Sequence, residues 1–179
     1  MALIFSATIG VGIISQEVQV AGPSPFLEIN DGIRAHIIKD TGTILVGTCD
    51  ANLTPEVTRG WGPTILPDCH TIDLCISLSA GAKTLDNLRD REEIAVTFHQ
   101  TVSYKTVQLK GLFLESGDLT PQDWESFERQ KNVLTEQAKV HGIPLEIGLR
   151  ILPLDPVRIR FAVQQAFEQT PGPGAGRTL

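Results

Sequence analysis

Lys83 stands at the end of a run of small residues, Ser79-Ala80-Gly81-Ala82, between an alternating apolar stretch and helix-forming sequence. Small residues let backbone N–H groups come close to a phosphate, and a lysine at the end of the loop supplies charge. Anion holding is therefore the chemistry this corner can do. A lysine in a strand-to-helix loop is equally at home in water, and the pattern alone leaves both readings open. Arg59 is the second cation of interest, since period-two alternation puts it on one strand face with Val57 and Trp61. Its stem can also simply cover apolar surface with the head in solvent. His36, His70, His99 and His141 are scattered, and none has a defined partner for general base work. Cys49, Cys69 and Cys75 are odd in number and lack a CxxC spacing, which argues for reduced, mostly buried thiols. Cys69-His70 is an adjacent pair in a Pro-Asp loop, and two neighbouring ligands do not make a metal site.

The elements around these residues follow from periodicity. Asn30 or Asp31 caps a helix whose buried face is Ile33, Ile37 and Ile38, with Gly42 beyond its end. Six strands are expected at 43–49, 55–61, 72–79, 94–99, 104–115 and 157–163. In the third, Leu74, Ile76 and Leu78 alternate with Cys75, Ser77 and Ser79; in the fifth, Val107, Leu109 and Phe113 oppose Thr106, Gln108 and Lys110. Thr84 can cap a short helix carrying Leu85 and Leu88. The clearest helix opens with Thr120 as cap, Pro121 at its first position and Asp123 at its third, and ends at Gly142 and Pro144. Trp124, Phe127, Leu134 and Ala138 mark its expected buried face. The connections are too short for parallel crossovers, so the strands predict a largely antiparallel sheet closed as a small barrel with the long helix outside.

With 179 residues, 41% hydrophobic and 20% charged, one soluble domain is expected. The net charge of −6 and the lack of any basic run argue against nucleic acid. Met1 to Ile14 is apolar, but no lysine or arginine precedes Arg34, so the charged segment of a secretory signal is missing. As a helix that stretch spans roughly 20 Å, short of the roughly 30 Å hydrocarbon core of a membrane. A cytoplasmic protein with an apolar arm over 1–25, a body over 26–165 and a Gly/Pro-rich tail over 166–179 is the expected layout. The tail reads as disordered or as a glycine-rich loop laid against a ligand.

From about Phe26 to Gly111 the residues resemble the pyridoxamine 5′-phosphate oxidase-like, FMN-binding split β-barrel family. The likeness lies in ILVGTCDANLTPEVTRGWG as a first hairpin, then LCISLSAGAKTLDNLRDREEIAVTF and VQLKG, with the last strand as weaker support. In that family a serine-arginine-lysine run follows the third strand, and its lysine binds the flavin phosphate. Gly81-Ala82-Lys83 keeps only the lysine. Arg59 answers to the family arginine of the second strand, displaced by one position from the preceding proline. The family glutamine falls at Thr106, with Gln108 on the same face. The substrate motif of the true oxidase is absent, and PGPGAG stands in the tail instead.

The resemblance implies FMN held in a groove between two barrels of a homodimer, and an oxidoreductase acting on a small soluble substrate other than pyridoxamine phosphate. Lys83, Arg59, Thr58 and Ser79 are then the groups available to the phosphate. Trp61 helps form an apolar floor for the ring, and Gln108 or Lys110 reaches its pyrimidine edge. The same barrel also suits a carrier or sensor that holds flavin or haem without turnover, or a scaffold that has lost its ligand.

Overall fold

The computed structural model describes residues 25–179, and the apolar arm lies almost wholly outside the described residues. Asn30 caps α1 (Asp31–Ala35) by accepting from the Ile33 amide at 3.0 Å, and the chain continues into a π turn (His36–Asp40). The strands are β1 (Thr43–Cys49), β2 (Pro55–Ile65), β3 (Thr71–Ser77), β4 (Glu93–His99), β5 (Thr106–Gly117) and β6 (Pro156–Glu168). Helix α2 (Ala82–Arg91) links β3 to β4, while α3 (Pro121–Val140) and α4 (Leu145–Leu149) link β5 to β6. Every pairing is antiparallel, and the order β1-β2-β3-β6-β5-β4 closes on itself through β4 and β1. The result is the six-stranded antiparallel split barrel expected from the sequence, with helices packed outside.

Alternation along each strand builds the interior. Ile44 and Val46, Ile72 to Ile76 by twos, Val96 and Phe98, Val107 and Leu109, and Ile159 and Phe161 are all nearly or wholly buried. Leu85 and Leu88 of α2 and Ile33 and Ile37 of the first helical segment close over this core. Thr84 is not the cap of α2. The Gly81 amide bonds the Ser77 carbonyl, the turn runs directly into the helix, and Gly81 takes the cap position while Thr84 is buried one turn in.

Helix α3 has the capping box that its sequence announces, with Thr120 and Asp123 exchanging hydrogen bonds. Its buried face differs from the expected one: Asp123, Ser126, Phe127, Gln130 and Ala138 face inward, whereas Trp124 is 47% exposed. The cause is the segment of β2 beneath it, where the register with β3 shifts between Trp61 and Thr64. The freed Gly62 amide donates to Gln130 Oε1 at 2.5 Å, and Thr64 donates to Ser126 at 2.7 Å. The helix thus docks on polar groups that would otherwise be buried unpaired. Gly62, at φ +60°, lies so close that a Cβ would come within 2.9 Å of the Phe127 backbone. Trp61, Cys75 and Phe127 form a second small core there, backed by Leu119, Leu134 and Leu152.

The Gly/Pro-rich tail folds back along β6. Gly176 donates to the Glu168 carbonyl at 2.7 Å, Glu168 to Arg177 at 2.8 Å and Leu179 to Ala166 at 2.9 Å.

Two substitutions separate the faces of α3. Phe127→Ala should cost about 3–5 kcal/mol, while Trp124→Ala, which loses mainly an edge-on contact with Phe127 at 5.9 Å, should cost about 1 kcal/mol. Denaturant unfolding of both checks this, and equal losses would contradict the docking described.

Candidate functional site

The small-residue corner after β3 already contains an anion. Ser77 Oγ donates to Asp155 Oδ1 at 2.7 Å, and the Ser79 amide donates to Oδ2 at 2.8 Å. The Leu78 amide bonds the Asp155 carbonyl, the Ala80 amide bonds Ser77 Oγ, and the Gly81 amide bonds the Ser77 carbonyl. Each amide from Leu78 to Gly81 therefore has a partner within the fold. Hydrogen bonds from the Ser79 and Ser77 side chains, followed by the Ser79 amide, hold the Asp155 carboxyl down at about 2. Lys83, exposed in the first turn of α2, leans toward Asp50 Oδ2 at 3.8 Å. Asp50 ties the β1–β2 turn by accepting from the Asn52 and Thr54 amides, each at 2.9 Å. Those bonds, Thr54's foremost, lower its pKa, and Lys83 adds to the effect.

A second arrangement lies on the outer face of the barrel. Strand register places Arg59, Leu45, Thr97, Gln108 and Phe167 in one row across five strands. The neighbouring row reads Val57, Gly47, Ala95, Lys110 and Gln165. Leu45 and Val57 are 38% and 59% exposed, and Gly47, Val57, Ala95 and Lys110 line a cleft of about 410 Å³. Gln108 Nε2 donates to Thr97 Oγ1 at 3.1 Å. Lys110 Nζ sits 4.8 Å above the Phe167 ring, and no ion pair among the described residues involves Lys110 or Arg59. Between Arg59 and Gln108 lie three strand spacings, roughly 14 Å.

The six site residues expected from the sequence are thus dispersed. Arg59 and Gln108 share the outer face. Lys83 stands beside the β1–β2 turn, at the end of that face where Cys49 and Pro55 line the cleft. Ser79 is engaged with Asp155. Thr58 is buried and alternates with Arg59, so its side chain points toward the barrel interior, away from any phosphate on the outer face. Trp61 is 5% exposed beneath α3, and the shift at Trp61–Thr64 carries it away from the open face as a floor. The small residues Gly47 and Ala95 occupy that position instead. Their signal in the sequence was two small residues at outward positions of otherwise β-branched strands. Nothing local marked Asp155, which reaches Ser79 across 76 residues.

Of the thiols, burial, helped by Asp123, pushes Cys75 up to about 12, while Cys49 and Cys69 are half-buried; all three are free. Among the described residues, no cluster of metal-binding side chains occurs, and no helix is long and apolar enough to cross a membrane.

Neither a protein-family model nor a curated protein matches this chain. Solved structures do. The HupZ protein of Group A Streptococcus is 17% identical over 83% of this chain and 99% of its own, with a TM-score of 0.49. A putative pyridoxamine 5′-phosphate oxidase of Lactobacillus delbrueckii is 12% identical over 81% and 96%, with a TM-score of 0.48. An FMN-binding protein of Syntrophomonas wolfei is 14% identical over 75% and 81%, with a TM-score of 0.46. Likeness at this level carries no weight for activity, so the functional reading rests on the residues of the chain itself.

The Asp155 contact titrates in a defined window. Its folded pKa is depressed below the ordinary 3.8, so the contribution of the contact is complete above that value and is lost as pH falls toward about 2. The Ser79 amide resonance, followed from pH 5 to 2, should move with Asp155 and stay flat in Asp155→Asn. A Ser79 shift that titrates in the variant would contradict the assignment.

Proposed function

We propose that the outer face of β1, β4 and β5 binds FMN, that a second copy of the chain covers it, and that the flavin serves an oxidoreductase acting on a small molecule. One observation supports this above the others. Two cations with no carboxylate partner among the described residues, Arg59 and Lys110, stand at diagonal corners of a two-row sheet patch whose middle holds Leu45 and Thr97 in one row and Gly47 and Ala95 in the other. Among the described residues, a Cβ on Gly47 would meet only Ala95, at 3.6 Å or more. Internal packing does not require glycine there; a flat seat for a planar body does.

Bound FMN supplies the hydride chemistry, and the protein supplies position and electrostatics. Lys110, with Gln108 in the adjoining row, presents a cation and an amide to one margin of the seat, where negative charge on a ring edge is favoured. Arg59 and Lys83 are the two groups available to the phosphate. The Lys83–Asp50 pair is long and its lysine is exposed, so exchanging it for a dianionic phosphate is favourable. An amide cradle is not on offer, because Asp155 occupies the loop. Leu45 and Val57 add exposed apolar surface, which favours coverage by a second copy.

An absorbance spectrum of the purified protein, followed by titration with FMN and riboflavin, is the first test. Arg59→Ala or Lys83→Ala should weaken FMN about 10- to 150-fold and leave riboflavin unchanged. Gly47→Val should weaken both ligands at least about tenfold, with the melting temperature of the ligand-free protein little altered. No flavin binding, a haem spectrum, or full binding by Gly47→Val would overturn the reading. Light scattering should give twice the 19.5 kDa chain mass, and a monomer at micromolar concentration would remove the shared site.

A further inference from the structure

On the α3 side of the barrel lies an open cleft of about 570 Å³, floored by Thr64 and Ile65 of β2 and walled by α1, its π turn and α3. Arg34 and Lys39 line it from one wall and Arg129 from the other. Their hydrogen bonding is thin. Arg34 donates to Cys69 Sγ at 3.3 Å and Arg129 to the Pro63 carbonyl at 2.8 Å, and no ion pair among the described residues involves Arg34, Lys39 or Arg129.

Carboxylates are close enough in sequence to have paired with both arginines. Asp31 precedes Arg34 by three residues and Glu125 precedes Arg129 by four, spacings that bring side chains together on a helix. Elsewhere on α3 such pairs do close: Lys131 meets Glu128 at 2.7 Å and Lys139 meets Glu136 at 2.6 Å. In the cleft they stay open, although Asp31 and Glu125 also line it. Burial lowers the pKa of Arg129, and desolvation is the sole cause, with no carboxylate opposing it. A partly desolvated guanidinium with most of its five donors unused among the described residues is poised for an oxyanion. The π turn adds to this, since its wider turn brings Lys39 to the cleft beside Arg34, and such turns recur at functional sites.

We propose that this cleft is a binding site for a small phosphate monoester, whose head is held by Arg129, Arg34 and Lys39 and whose body rests on Ile65. Two guanidinium forks and an ammonium match the charge and the acceptor geometry of a phosphate dianion. The site is separate from the outer face assigned to flavin: the two clefts share no lining residue, and nothing in the proposal depends on FMN.

Phenyl phosphate is a suitable probe, titrated calorimetrically into the full chain with and without saturating FMN. Saturable one-site binding is expected in both cases. Arg129→Gln should weaken it about tenfold or more. Lys39→Gln should weaken it several-fold; its side chain is exposed and makes no hydrogen bond or ion pair among the described residues. Arg89→Gln, an equal charge change on α2, should leave it unchanged. Unsaturable binding, equal affinities for wild type, Arg129→Gln and Lys39→Gln, or displacement by stoichiometric FMN would each overturn the proposal. Displacement would move the anion to the outer face; the other two failures leave the flavin reading intact.

Discussion

Closure of the barrel decides where everything else can be. Six strands enclose a space only wide enough for side chains, and here Phe98, Phe161 and a ring of Ile, Leu and Val fill it with almost no exposure. No ligand can enter. Outward positions of the strands, and the gaps between barrel and helices, are the only places left for chemistry. The same closure makes each outward row continuous across strands far apart in sequence, which is how Arg59 and Gln108 come to share one surface.

The exterior is divided by what the helices cover. Among the described residues, helix α3 occupies the β2–β3 side and α2 packs against β1 and β2, while β4 and β5 carry no substantial helix contact. The cost of that division appears under α3, where polar groups meet. Gly62, Thr64, Ser126 and Gln130 satisfy one another at the β2 irregularity. A helix resting on an interrupted strand must supply hydrogen bonds that the ladder no longer makes.

This also sets the limits of what could be read in the sequence. Period two located all six strands, because inward and outward positions differ sharply in polarity, as Ile72-Asp73-Leu74-Cys75-Ile76 illustrates. The capping box at Thr120 was local and equally legible. The buried side of α3 was not, because Ser126 and Gln130 are buried for their hydrogen bonds and a hydrophobic pattern assigns them to water. Thr58 was misjudged despite its parity: alternation with Arg59 already put it inside. The pairing of Asp155 with the Ser77–Ser79 turn is wholly non-local. A glycine-containing loop with a lysine looks the same in sequence whether its donors are free or taken.

The folded-back tail has a consequence for how these molecules meet one another. Strand β6 outruns β3, whose pairing with it stops at Ala162, while β5 continues to Glu168. Beyond Val163, which still bonds His70 and Leu27, one side of β6 would present unpaired N–H and C=O groups, a template for adding strands from other chains. The segment from Gly176 to Leu179 occupies that stretch, bonding Ala166 and Glu168. A glycine- and proline-rich sequence suits the task, since it can turn sharply and pair briefly without offering a new regular strand to a neighbour. With this stretch of β6 covered by its own chain, the barrel is guarded there against open-ended growth by strand addition and is left to associate through side-chain faces, where recognition is selective.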